Sequence, residues 1–224
     1  MTSDAEAVRA LVDAQLAAPD TWKDPSGYRG SLALCVLDSV FSLRATYPAT
    51  ARVLKRFRAA RKAAGSDPDV DNLADLVAAI DEVGGPERAA GPALFSNGSY
   101  APGTVRKGRR GVLKAEAVYD GATGLLAVGI STIEDLRANT PGAEAAWLAV
   151  RGLGWVSWDY LRMLTGETGV KADTMLQRFV ATALNVPKVT GERAKGAVTE
   201  AAELMTVDAR VLDHAIWLYQ REQP

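Results

Sequence analysis

Val150-Arg-Gly-Leu-Gly-Trp-Val-Ser-Trp-Asp-Tyr-Leu161, followed by Gly169-Val-Lys-Ala-Asp-Thr-Met-Leu-Gln-Arg-Phe179, is the stretch on which the reading of this chain turns. Apolar residues recur at spacings of three and four on both sides of Gly152-Leu153-Gly154, which predicts two helices joined by a tight turn over about 144–164. Glycines reach the positive φ values such a turn demands and leave its backbone N–H groups uncovered. Beside the N-terminus of the next helix, those amides can hold a phosphate without any side chain. Gly-x-Gly alone also serves ordinary helix–helix turns. Beyond it, Asp173 stands at the start of a further helix whose apolar face is Met175, Leu176, Phe179 and Val180. An aspartate there caps the helix, and can in addition be a chemically active carboxylate.

Outward from this stretch the pattern stays helical. Helices are predicted over 4–16, 31–42, 49–64, 72–83, 114–128, 144–150, 156–164, 173–184, 192–205 and 207–222. The segment 31–42 is apolar without alternation and reads as a buried helix. The next one sets Val53, Leu54 and Phe57 against a polar face of Arg52, Lys55, Arg56, Arg58, Arg61 and Lys62. Tyr47-Pro48 reads as a break, Ser131 with Glu134 as a capping box, and Pro141-Gly142 as the end of a turn. An irregular region over 84–111 carries the basic run Arg106, Lys107, Arg109, Arg110. The expected class is all-α, with about ten short helices.

Composition narrows the chemistry. The chain has 224 residues, 48% hydrophobic and 24% charged, which is the balance of a globular protein. Its net charge of −1 confines any attraction for nucleic acid to local patches. A single cysteine, Cys35, excludes a disulfide framework, a four-cysteine zinc site and a cysteine-held iron–sulfur cluster. A single histidine, His214, excludes multi-histidine metal sites. No metal or cofactor is expected, and both residues read as packing in apolar segments. Asp4, Glu6, Arg9 and Asp13 break the start of the chain, and no long uncharged apolar run follows. A cytoplasmic chain with no membrane partner is expected.

The hairpin Gly152-Leu153-Gly154, the pair Asp173-Thr174, the turn Ser42-Leu-Arg-Ala-Thr46 and the start Lys114-Ala-Glu-Ala together resemble the helix–hairpin–helix DNA glycosylase superfamily. Its members include endonuclease III and the alkyladenine glycosylases, and the resemblance covers about 31–184. It implies a two-lobed all-α fold containing a helix–hairpin–helix motif. A central lobe over 31–165 would carry the hairpin, and 1–30 with 166–224 would form the second, with Asp173 facing the hairpin across a cleft. It also implies base-excision repair by hydrolysis of the N-glycosidic bond, Asp173 being the catalytic carboxylate. The partner would be double-stranded DNA with a damaged base or abasic site, bound by a monomer. Val156 occupies the position where bifunctional members carry a lysine, so a Schiff-base lyase step is not available and the chain reads as monofunctional. The cluster cysteines are absent, Met175 replaces a common histidine, and Lys171-Ala172 replaces an apolar lead-in.

On this resemblance Gly152, Leu153, Gly154, Trp155 and Val156 would contact the DNA backbone. Arg44, Trp155, Trp158 and Tyr160 are candidates for a wedge and stacking surface, Trp158 and Tyr160 lining the base pocket. Arg52, Lys55, Arg56 and Arg58 on one helix, and Arg106, Lys107, Arg109 and Arg110 in the irregular region, would reach phosphates. Each has a plainer counterpart: Asp173 as a helix cap, the tryptophans as core, the basic helix as a solvated face. Two other functions stay open, a non-catalytic DNA-binding or damage-recognition module and a helical protein-interaction domain that retains only the fold.

Overall fold

The structure, a computed structural model, describes residues 2–25 and 27–223. Its regular structure is α1 (Asp4–Gln15), α2 (Leu32–Phe41), α3 (Tyr47–Ala63), α4 (Leu73–Glu82), α5 (Pro86–Ala89) and α6 (Lys114–Ala127). There follow α7 (Ile133–Ala138), α8 (Thr140–Leu148), α9 (Trp155–Leu164), α10 (Thr174–Ala183), α11 (Gly191–Met205) and α12 (Ala209–Glu222). A 3-10 turn covers Pro19–Thr21, and two isolated β-bridges are the only extended pairing among the described residues. The protein is all-α. No helix among the described residues is long and apolar enough to cross a membrane.

The chain divides into two compact units, residues 27–165 and residues 1–26 with 166–224. The first is built around α2, every residue of which is buried. Its sequence is apolar on all sides, so it is stable only when surrounded, and α3, α4, α6 and α9 pack against it. Ser31 caps its start by accepting the Leu34 N–H at 3.3 Å, and the one carboxylate inside it, Asp38, accepts the Tyr28 hydroxyl at 2.9 Å. Phe41, Phe57 and Phe95 cluster, and Trp147 and Trp158 are fully buried beside them in the same core.

The second unit joins the two ends of the chain. α1 packs on α10 and α11, and α12 packs on α10 and α11. Val8, Val12, Phe179, Val198 and Ile216 form its core, with Tyr219 edge-on to Phe179. Arg193 grips Asp4 through two hydrogen bonds of 2.6 and 2.9 Å, which also holds the Asp4 carboxyl below its ordinary range.

Four expectations need correction. Pro48 does not break the chain; α3 already starts at Tyr47, with proline in a first turn where its missing N–H costs nothing. Pro141 likewise sits at the start of α8 rather than ending a turn. The capping box lies one residue later than expected: Thr132 Oγ1 accepts the Asp135 N–H at 3.2 Å, and Asp135 accepts the Thr132 N–H at 2.8 Å. Arg61 is not on the solvated face of α3. Four residues after Phe57 it shares the inward stripe, and it is buried.

Candidate functional site

The hairpin between α8 and α9 belongs to the 27–165 unit. Past the end of α8 the chain tightens through Val150 N–H to Trp147 O at 3.2 Å and Leu153 N–H to Val150 O at 3.1 Å. Gly152 has φ +98°, and a Cβ there would stand 2.6 Å from the Ala101 Cβ and 2.8 Å from Thr104 Cγ2. This glycine is required twice, by conformation and by space. Gly154 is not. Its φ of −164° is extended backbone, and a Cβ would meet nothing within 4 Å.

The turn is locked by a residue that sequence reasoning missed. Ser157 is 1% exposed; its hydroxyl accepts the Gly154 N–H at 3.1 Å and the Trp147 Nε1–H at 3.0 Å, and donates to Gly154 O at 2.7 Å. The amides of Leu153 and Gly154 are therefore engaged inside the protein, contrary to the uncovered amides expected of them. Trp155 and Val156 open α9, where first-turn N–H groups lack intrahelical acceptors and the helix dipole is positive. These, and not the hairpin amides, are the backbone donors this segment presents at a helix start. A serine three residues after a glycine turn was the available signal.

Trp155 and Trp158 part company. Trp155 is 59% exposed, whereas Trp158 is 1% exposed and lies in the core with Leu161. Trp158 therefore cannot serve as a base-stacking surface: it occupies the inward face of α9, while Trp155 sits at the helix start. Tyr160 and Leu153 are half-buried against the same core. Val156 is half-buried and supplies no amine.

The cations divide similarly. Arg44, at φ +48°, and Arg52, Lys55 and Arg56 are exposed. Arg58 binds Asp69 at 2.7 Å and lies over the Tyr28 ring, and Arg110 binds Glu87 at 2.6 Å and Glu116 at 2.8 Å. Neither is an uncommitted phosphate ligand, a correction for Arg110 in particular. Arg106, Lys107 and Arg109 are exposed at the tip of the loop before α6. Arg151 ties that loop to the hairpin, its Nη2 donating to Thr104 O at 2.7 Å and Arg110 O at 3.3 Å.

Lys114 also escaped notice as a buried charge. It is 3% exposed, and its ammonium donates to Phe41 O at 2.9 Å and Leu43 O at 2.6 Å, closing the C-terminal end of α2. Burial brings its pKa down to about 8. Cys35 is buried and its thiol is raised by burial first, so it is inert. His214 stacks on Trp217, and burial lowers its pKa.

Asp173 lies in the unit formed by both ends of the chain. It caps α10, Oδ1 accepting the N–H groups of Met175 at 2.8 Å and Leu176 at 3.1 Å. Oδ2 accepts no hydrogen bond from the described residues, and the side chain is half-exposed. Gln177 Nε2 fixes the preceding strand of backbone by donating to Ala172 O at 2.9 Å. Thr174, next to Asp173, lines a groove of about 700 Å³ along α10 and the segment 185–189, with Arg178 and Lys188 also at its wall. Among the described residues no group of three or more His, Cys, Asp or Glu could hold a metal ion.

A family model described as Domain of unknown function (DUF8548) matches residues 6–221. The chain belongs to this family. No curated protein and no solved structure matches it. The DUF8548 match spans the hairpin and Asp173 alike, so both are parts of one family domain.

Proposed function

We propose that this protein binds duplex DNA and acts as a monofunctional DNA glycosylase, hydrolysing the N-glycosidic bond of a flipped, damaged base with Asp173 as the catalytic carboxylate. The observation that carries this reading is the division of labour within Asp173. Both cap bonds end on Oδ1, which leaves Oδ2 of a half-exposed carboxylate for a substrate or water. Glycosidic hydrolysis develops positive charge on the sugar, and a fixed carboxylate can stabilise that charge and orient the attacking water. In the same reading the first turn of α9 offers the N–H groups of Trp155 and Val156 to a phosphate. Val156 offers no amine, so the reaction is hydrolysis without a covalent Schiff base.

Asp173 also has a structural task, and that favours one rival, a DNA-binding module without chemistry. Asp173→Asn separates them, because the asparagine side-chain oxygen still caps α10 while the charge is gone. Duplexes carrying uracil, oxidised guanine or alkylated adenine would be assayed for base release. The expected result is release from at least one by the wild-type chain, lowered at least about 100-fold in Asp173→Asn with unchanged melting and unchanged duplex binding. Salt-dependent binding without release from any substrate would establish the rival instead.

A further inference from the structure

The segment 99–113 is an arm. Its two limbs run antiparallel, paired through the isolated bridges Tyr100–Leu113 and Arg106–Arg109. Ala101 N–H donates to Val112 O at 2.8 Å and Lys114 N–H to Ser99 O at 2.9 Å. Gly108, at φ +75°, lets the tip reverse. Thr104 is buried at the root, its hydroxyl accepting the Val112 N–H at 3.0 Å.

Three features of this arm point to one partner. Its tip presents Arg106, Lys107 and Arg109 within four residues, all exposed, and no ion pair engages them among the described residues. The neighbouring acids Glu87 and Glu116 are both held by Arg110, and the tip cations outweigh the one negative charge that this trio leaves over. Val105 beside them is 63% exposed, an apolar residue kept out of the core. The root of the arm is fixed to the hairpin: Arg151 bridges the Thr104 and Arg110 carbonyls, and Gly152 lets Ala101 and Thr104 approach the turn closely. A change that loosened Gly152 or Arg151 would shift the arm relative to the start of α9.

We infer that this arm is a groove-docking element for duplex DNA, held in register with the hairpin so that tip cations and the first turn of α9 engage the same duplex. The inference rests on the DNA-binding part of the proposed function and adds the element that supplies the electrostatic attraction. Two antiparallel limbs joined only by isolated bridges make a narrow projection of the kind the roughly 12 Å major groove admits, and the unpaired cations at its tip can meet the phosphates that flank the groove. With an overall charge of −1, attraction for a polyanion rests on local concentrations of cations, and this one lies on the element tied to the hairpin, apart from the exposed Arg52, Lys55 and Arg56 of α3.

The test is fluorescence anisotropy of a short undamaged duplex with the full chain, over roughly 50 to 200 mM salt. Each cation that displaces a counterion contributes about 0.9 to the slope of log affinity against log salt. Arg106→Ser/Lys107→Ser/Arg109→Ser is expected to make the slope shallower by about 2.7, and Lys107→Gln alone by about 0.9. Arg151→Met, with all tip charges present, is expected to weaken binding about 10-fold by releasing the arm from the hairpin. If the wild-type chain binds with a steep slope and the triple variant keeps it, the arm inference falls and DNA binding stands. If the wild-type chain shows no salt-dependent duplex binding, both fall. Tip-dependent capture of polyglutamate with no affinity for duplex overturns the inference in favour of an acidic protein partner.

Discussion

Arg61 and Asp71 show how a single pair can decide the stability of the 27–165 unit. Arg61 is 9% exposed and Asp71 4%, and they meet in a two-point contact, Nε to Oδ2 at 2.7 Å and Nη2 to Oδ1 at 3.0 Å. The Asp71 side chain raises the Arg61 guanidinium further, the hydrogen bond being the main cause. The Asp71 carbonyl accepts the Ser31 hydroxyl at 2.9 Å, so the pair is continuous with the cap of α2. Removing Asp71 takes both hydrogen bonds from a buried guanidinium and leaves it only the longer contact of 3.8 Å to Asp75. Asp71→Ala is therefore expected to lower unfolding free energy by about 3–5 kcal/mol in urea titration, and Arg61→Met/Asp71→Ala to recover part of that loss. An equal loss in the double variant would show that the pair itself was stabilising. Neither residue's role was legible in the sequence. Arg61 reads as one more cation in a basic run, and only its spacing from Phe57 hints at the inward stripe. The tryptophans were half legible: their spacing of three on a helix reads as core for both, which holds for Trp158 at 1% exposed but not for Trp155 at 59%.

At the scale of elements, the hairpin glycines give opposite expectations from identical residues. Gly152→Ala adds a methyl at φ +98° against Ala101 and Thr104, and is expected to cost about 1–3 kcal/mol. Gly154→Ala adds one in open space at extended φ and is expected to stay within about 0.5 kcal/mol, both read by thermal melting. Sequence spacing revealed the hairpin, yet not which glycine it needs, because that depends on the arm arriving from residues 101 and 104. The helices were legible wherever a three-and-four apolar pattern ran over several turns, as in α10, and α2 was legible from its length as an apolar run without alternation. Their ends were misread where proline or hydroxyl residues offered two registers, as at Pro48, Pro141 and Ser131–Thr132. Lys114, closing α2 from the first residue of α6, gives the pH prediction. Its folded pKa is about 8, below its ordinary value of 10.5. Between these values the unfolded chain binds more protons at this site, so the lysine's own contribution to stability rises with pH. Below about 8 both states are charged and the full burial penalty is present. Lys114→Met removes this contribution: the stability of the wild type relative to the variant should rise from about pH 8 to 10, measured by urea unfolding of both proteins across that range. Cys35 and Tyr28, both raised by burial first, lower stability as pH climbs through their ordinary values of 9.0 and 10.0, and they do so equally in both proteins, so the difference between the two isolates Lys114.

At the scale of the whole molecule, the two units have separate hydrophobic clusters. One is drawn entirely from residues between Leu32 and Leu164, the other from Ala5–Val12 and residues beyond Val170. Such a division lets one region open at a lower free energy than the other. Val8 is fully buried in the cluster that joins the chain ends, where α1 packs on α11. A carboxylate there would have no hydrogen-bonding partner in an apolar site, and burying it is expected to exceed the stability of that unit alone. Val8→Asp should therefore abolish amide-exchange protection in α1, α10, α11 and α12 while α2, α4, α6 and α9 keep theirs. Tryptophan emission adds an independent reading, since Trp147 and Trp158 lie in the larger cluster and remain buried if it survives. Loss of protection in every helix at once would instead show that the two clusters unfold as one cooperative body. A selective loss would carry a functional corollary: duplex binding through the arm and α9 should persist in Val8→Asp, whereas base release, which the proposal assigns to Asp173 at the cap of α10, should disappear.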